Sequence, residues 1–253
     1  MTASALHLVL LFVAALWAGA QNQLAGGGSF ITLPALILTG MDARAANITS
    51  AVALFPGQVT GGWLGRKNAS GTATLSLKAL TLISLIGGAL GAGLLLLTPS
   101  NVFARMVPWL VLFATAAFAY GSFRAKPAAA AKPAMPAPAA GAIQLGIAIY
   151  GGYFGGGIGF LMLAALALSQ VPTRAAAATK NVLAGVMNLT AVAIFLFSGQ
   201  VHWLACAIAS VGALGGSWLG AKLLTRVNER LLRGGIVVIG AALTLGLFWR
   251  AYF

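Results

Sequence analysis

Residues 25–50 read AGGGSFITLPALILTGMDARAANITS, and residues 151–181 read GGYFGGGIGFLMLAALALSQVPTRAAAATKN. Each is a long apolar stretch with a glycine cluster inside it, Gly26-Gly27-Gly28 in one and Gly155-Gly156-Gly157 in the other. Glycine leaves the helical conformation at little steric cost, so both stretches are expected to be broken rather than continuous helices. A shift of 130 residues pairs Gly26-Gly27 with Gly156-Gly157, Phe30 with Phe160, Leu33 with Leu163, Arg44 with Arg174, Thr49 with Thr179 and Thr60 with Thr190. A shift of 129 brings Leu90-Gly91-Ala92 onto Leu219-Gly220-Ala221. Arg and Thr matches held in one register are harder to meet by chance than Ala, Leu and Gly matches, and they point to an internal duplication.

The solvent around these repeats follows from composition. Of the 253 residues 60% are hydrophobic and 7% charged, with mean hydropathy +0.97. Soluble domains carry roughly 25% charged residues, so most of this surface does not face water. Apolar runs at about 5–20, 28–40, 47–65, 74–97, 102–121, 142–168, 176–198, 201–221 and 231–249 are long for barrel strands and suit helices crossing about 30 Å of hydrocarbon. The expected fold is an all-α polytopic membrane protein: a first membrane repeat at 1–121, an Ala/Pro-rich linker at 122–141 and a second repeat at 142–253. The linker run AKPAAAAKPAMPAPAA holds four of the nine prolines and two lysines, the composition of an extended, solvated segment. The first 20 residues end in Ala18-Gly19-Ala20, like a signal-peptide cleavage site, but have no basic n-region. They are expected to be retained.

Fifteen Lys and Arg against Asp42 and Glu229 give a net charge of +13. The basic residues mostly sit in short gaps between apolar runs, where they orient helices and require no nucleic-acid partner. Up-and-down threading of every run would spread them about equally over both sides, against the positive-inside tendency. If 5–40 and 142–168 each enter and return as a pair of half-helices, each repeat of about four helical units has an odd number of crossings and the second is inverted. Twelve basic residues then lie on the cytoplasmic side, including 66–78, 122–141 and 222–233, and only Arg44, Arg105 and Arg250 outside. Inverted repeats with broken helices meeting near the midplane are a recurring plan of secondary transporters.

The stretches AGGGSFITLPALILTGMDARAANITSAVALFPGQVTGGWLGRK (25–67) and GGYFGGGIGFLMLAALALSQVPTRAAAATKNVLAGVMNL (151–189) resemble the paired repeats of the sulfite exporter TauE/SafE family, also called the TSUP permeases. The segments LGAGLLLLTPSNVFARM and LGAKLLTRVNERLLRGG are similar to the repeat ends of that family. The chain departs from many members in its short run Gly26-Gly27-Gly28-Ser29, where a longer glycine run is usual. The resemblance implies a bacterial inner-membrane permease for sulfite, sulfonates, thiosulfate or related organic anions. The partners expected are therefore a small inorganic or organic anion and membrane lipid, with a second copy of the chain, as a homodimer, also admitted.

Candidate substrate-binding residues follow from charge and position. Gly26, Gly27, Gly28, Ser29, Gly155, Gly156 and Gly157 would present backbone N–H groups at half-helix starts, which bind oxyanions without formal charge; the alternative is close helix packing. Thr49 and Ser50 match Thr179 and Lys180, with Asn181 next to them; these could replace a hydration shell, or serve their own helix backbone and, for Lys180, snorkel to the interface. Gln58 aligns with Asn188, as a buried amide pair or as interhelical glue. Arg44 and Arg174 are expected to form entrances for anions, unless Asp42 pairs with Arg44.

An enzyme reading finds little support. His7 and His202 are far apart, and Cys206 is the single cysteine. No Cys/His/carboxylate constellation for a metal or nucleophile exists, so neither catalytic residues nor a cofactor are expected. An anion channel, or a membrane scaffold or sensor subunit that transports nothing, are the other functions compatible with this composition.

Overall fold

The computed structural model describes residues 5–24, 26–123, 135–223 and 229–252. The basic residues Arg124, Lys126, Lys132 and Arg226, and the side chains of Lys222, Arg230, Arg233 and Arg250, lie outside the described part. With no water to satisfy backbone groups in hydrocarbon, such apolar runs must bond internally. They form helices: α1 (Ala5–Leu24), α2 (Ser29–Leu38), α3 (Ala43–Gly65), α4 (Leu77–Leu97), α5 (Ser100–Phe123), α6 (Ala137–Tyr153), α7 (Ile158–Leu168), α8 (Thr173–Leu196), α9 (Trp203–Leu223) and α10 (Glu229–Tyr252). Leu77–Leu97, Ser100–Tyr120, Thr173–Leu196 and Trp203–Gly220 are each long and apolar enough to cross a membrane. Leu97, Trp109, Phe197 and Trp203 stand exposed on the outside of the bundle, where lipid is the fitting solvent.

Local chemistry sets the helix starts. Asp42 caps α3, its Oδ1 accepting from the N–H of Arg44 and Ala45 at 3.1 Å each, and Ser76 Oγ caps α4 through Ala79 N–H at 3.2 Å. Asp42 is therefore a helix cap rather than an ion-pair partner for Arg44. Residues 137–141, expected to be linker, instead begin α6. Pro138 falls in its first turn, where a missing N–H costs nothing.

Glycines set how the helices pack. A Cβ at Gly216 would overlap Leu16 O, and one at Gly220 would lie 2.7 Å from Ala20 Cα, so α1 and α9 run side by side in the same direction. In the same way Gly87 meets Ala148 and Gly91 meets Ile149 O, so α4 runs with α6. Under the 129–130 shift, α1 corresponds to α6 and α4 to α9. By contrast α3 crosses α8 antiparallel, with Gly62 against Asn181 O (3.1 Å) and Gly185 against Gln58 O (3.6 Å). The α5 and α10 helices are also antiparallel: Trp109 Nε1–H donates to Tyr252 Oη at 3.0 Å, and Gly240 lies against Thr115. Small residues permit these approaches between membrane helices.

Two groups of contacts fix the ends of the bundle. At the first end, Arg44 donates from Nη1 to Thr98 O (2.8 Å) and from Nε to Gln200 Oε1 (3.0 Å), gathering the start of α3, the α4–α5 turn and the α8–α9 turn. At the second end, Thr179 Oγ1 exchanges two 2.9 Å bonds with the backbone of Ser70, and Thr74 Oγ1 donates to Met135 O at 2.9 Å. Thus α3 and α5 leave the first end, while α6, α8 and α10 leave the second.

The two short helices fold back. A Cβ on Gly28 at the start of α2 would lie 2.7 Å from Ala18 O of α1, and Ile158 of α7 lies against Gly151 of α6. With 10 and 11 residues, α2 and α7 are about 15–17 Å long, half of a roughly 30 Å hydrocarbon layer. Their outgoing partners, α1 with 20 residues and α6 with 17, are not half-helices as the sequence suggested. Only the returning arm is short, because the glycines sit past the middle of each helical hairpin, 5–38 and 137–168. A cluster including Phe30, Leu33, Phe103, Phe154 and Phe195 fills the interior toward the first end.

Candidate functional site

Both breaks use the left-handed backbone region that favours glycine: Gly26 and Gly27 at φ +84°, Gly155 and Gly157 at φ +76°. In the first break, Asn22 Oδ1 accepts from Gly28 N–H at 2.7 Å and Gln21 Nε2 donates to the carbonyls of Gly26 and Gly27 at 3.4 Å. In the second, Tyr150 O accepts from the N–H groups of Phe154 (2.9 Å) and Gly155 (3.4 Å). Among the described residues, no acceptor meets the N–H groups of Gly156 and Gly157. The breaks touch each other: a Cβ on Gly26 would lie 3.1 Å from Gly159 Cα, and the Phe30 ring lies 2.9 and 3.0 Å from Cβ positions on Gly156 and Gly157. Two half-helix N-termini, each with its positive dipole end, therefore converge inside the bundle.

A cavity of about 30 Å³ opens at this convergence, room for roughly two water molecules. From α3 it is lined by Gly57, Gln58 and Gly61, from α8 by Lys180, Asn181 and Ala184, and from the breaks by Asn22, Gly26, Gly27, Gly155, Ile158 and Gly159. Lys180 is 4% exposed and sits about 10 Å along α8 from its start. It has no hydrogen-bond or ion-pair partner among the described residues. Gln58 Oε1 is buried and likewise unpartnered. The site thus combines one ammonium, three amides and two helix N-termini with no carboxylate among the described residues, a donor-rich lining suited to an anion.

Of the residues singled out in the sequence, Gly26, Gly27, Gln58, Gly155, Lys180 and Asn181 line this cavity. Gly28 caps α2, and Ser29 Oγ lies 3.7 Å from a Cβ placed on Gly155. Gly156 and Gly157 pack under Phe30. The others are occupied elsewhere. Thr49 Oγ1 accepts from His202 N–H at 3.2 Å, and Thr179 holds Ser70. Ser50 Oγ bonds Thr32 Oγ1 at 2.5 Å, and Asn188 Nδ2 donates to Ala184 O in its own helix at 3.0 Å. Arg44 braces two turns, whereas Arg174 is exposed at the start of α8, so the two arginines do not form equivalent entrances.

Asn22, Gln21 and the packing glycines Gly57, Gly61 and Gly159 were not singled out. Gln21-Asn22 carried a signal, since two amides near the end of an apolar membrane run are costly unless employed. A larger cavity of about 320 Å³ lies near the first end, lined by Ile37, Met41, Asp42, Ser100 and Leu247 among others. It contains a carboxylate and no cation, which disfavours an anion.

An all-helical membrane bundle with two broken helices meeting over a polar interior cavity is the architecture of a membrane transporter. The chain belongs to the sulfite exporter TauE/SafE family, whose pattern matches residues 11–247. It is similar to a probable membrane transporter protein of Haemophilus influenzae, 29% identical over 244 residues that cover 94% of this chain and 92% of the relative. It is also similar to the probable membrane transporter protein ORF9 of a Sinorhizobium species, 29% identical over 258 residues covering 96% and 93%. The probable membrane transporter protein YfcA of Escherichia coli K12 is 27% identical over 255 residues covering 98% and 92%. No solved structure matches the chain.

Proposed function

We propose that the protein is a secondary permease of the bacterial inner membrane that moves a small anion, such as sulfite, a sulfonate or another organosulfur or carboxylate anion, through the cavity at the two helix breaks. The observation that carries this reading is Lys180: an ammonium 4% exposed, inside a membrane span, facing two half-helix N-termini with no partner of opposite charge among the described residues. A buried unpaired charge is costly, and an anion bound beside it offsets that cost. The chain has only Asp42 and Glu229 as acids, and Asp42 is engaged as a helix cap, which gives a cation little to bind.

The transport cycle draws on the opposed directions of the two halves, which we take to be inverted repeats. Thr49 ties the start of α3 to the α8–α9 turn at one end, and Thr179 ties the start of α8 to the α3–α4 loop at the other. Opening one tie while the other holds exposes the cavity to one face at a time. The second end, with Arg66, Lys67 and Arg174, is the cytoplasmic one under the positive-inside tendency. The test is uptake by the purified protein in proteoliposomes with labelled sulfite, sulfate, thiosulfate, sulfoacetate and small carboxylates. Saturable uptake of at least one anion supports the reading. Conductance without saturation turns it into a channel, and no flux of any anion overturns it.

A further inference from the structure

The cavity carries a second piece of information, which rests on the permease reading. Among the described residues its charge complement is one: Lys180 is the single cation on the lining, while Arg44 is bound at the far end and Arg66 stacks outside over Trp63 at 3.6 Å. A second negative charge on the ligand would be buried without compensation. The lining also holds a demand that an all-acceptor anion cannot meet. Gln58 is the one α3 residue with a side chain on the cavity, since its lining neighbours there are Gly57 and Gly61. Its Oε1 is buried with no donor, although buried carbonyl oxygens are ordinarily bonded.

We infer that Gln58 is a specificity residue and that the site takes a small monoanion carrying its own O–H or N–H, in preference to a dianion or to an anion made only of acceptors. Lys180 and the half-helix ends hold the anionic oxygens, and the ligand's donor satisfies Gln58 Oε1. A site that leaves a buried acceptor unpaired discriminates against the analogue lacking the donor by about tenfold or more.

The experiment compares hydroxyethanesulfonate with propanesulfonate, which match in size and differ by a hydroxyl in place of a methyl, and methanesulfonate with sulfate, which differ by one charge. Initial uptake rates over a concentration range are measured for the full chain in proteoliposomes. The parent is expected to favour hydroxyethanesulfonate by about tenfold in apparent affinity, and methanesulfonate over sulfate by more. Gln58→Met should bring the hydroxyethanesulfonate-to-propanesulfonate ratio close to one. Gln58→Glu, which sets a carboxylate beside Lys180, should abolish uptake of both. If Gln58→Met does not fold, Gln58→Asn withdraws the amide by one methylene and should lower the same ratio. Equal handling of the matched pair by the parent, sulfate taken as well as methanesulfonate, or an unchanged ratio in a folded Gln58 variant overturns the inference while leaving the permease reading intact. A parent that takes up none of the four, nor any anion of the wider panel, overturns both.

Discussion

The two helix breaks occupy corresponding places in the two halves but are finished differently. In the first, side chains of Gln21 and Asn22 bond the backbone of Gly26, Gly27 and Gly28, so its polar groups are largely met from within. In the second, the corresponding helix end carries Tyr150 and Phe154, whose rings meet edge to face at 5.9 Å and whose side chains offer nothing to the loop. The N–H groups of Gly156 and Gly157 stay without an acceptor among the described residues. Lys180, the unpaired cation, belongs to the same half, whereas its counterpart Ser50 is bonded to Thr32. The two halves share their order of helices, and a few differing side chains concentrate unmet donors on one of them among the described residues. The first break is braced by its own side chains, and the second leaves two N–H groups without an acceptor among the described residues.

The strongest test of that asymmetry exchanges the paired positions. Lys180→Gln is expected to weaken anion uptake by about a hundredfold, the worth of a buried charge-assisted contact. Lys180→Arg should retain part of the uptake, and Ser50→Ala should stay within about threefold of the parent. Concentration-dependent initial rates for the three variants decide it, and parent-like kinetics in Lys180→Gln would remove this residue from the site. Next in size is a backbone effect. Gly157→Ala should destabilise by about 2–3 kcal/mol, because the left-handed conformation costs about 1–2 kcal/mol and a Cβ would lie 2.8 Å from Ala114 Cβ and 3.0 Å from the Phe30 ring. Gly26→Ala, with its nearest neighbour at 3.1 Å, should cost less. Thermal unfolding in detergent reads the difference.

A smaller effect separates the two threonine ties. Thr179→Val loses two bonds to Ser70 and should lower stability by about 2 kcal/mol, while Thr49→Val loses one bond to His202 N–H and should cost about 1 kcal/mol. Equal losses would mean that the ties do not control the two ends as described. The smallest expected change is Asn22→Ala, about 1 kcal/mol from losing the cap on Gly28. Because position 152, its counterpart, is already glycine, no substitution there mirrors it. Unfolding midpoints of Asn22→Ala near those of Gly26→Ala would show that the brace and the glycine conformation contribute alike.

What could be read from the residues was the class and the helix breaks. Composition rules out a water-facing surface, and runs of glycine inside apolar stretches announce that the backbone must leave the helix there. Each of these rests on a chemical property of adjacent residues, which survives without knowledge of the fold. Sequence position also picked out Lys180, since an ammonium within an apolar run is costly wherever it points.

The tertiary structure decided which aligned polar residues share a cavity. Thr49, Thr179 and Arg44 are as polar as Gln58 and Asn181, yet the first three bond turns or loops of the opposite half, more than 100 positions away in sequence. Gln58 became significant only because Gly57 and Gly61 clear the space around it and no donor reaches its Oε1. A hydrogen bond between distant segments leaves no periodic trace in the chain. Amino-acid sequence therefore determined that this protein lives in a membrane and breaks two helices inside it. Packing alone determined which donors and acceptors were left unmet among the described residues, because satisfaction of a polar group depends on what the folded chain brings within about 3 Å of it.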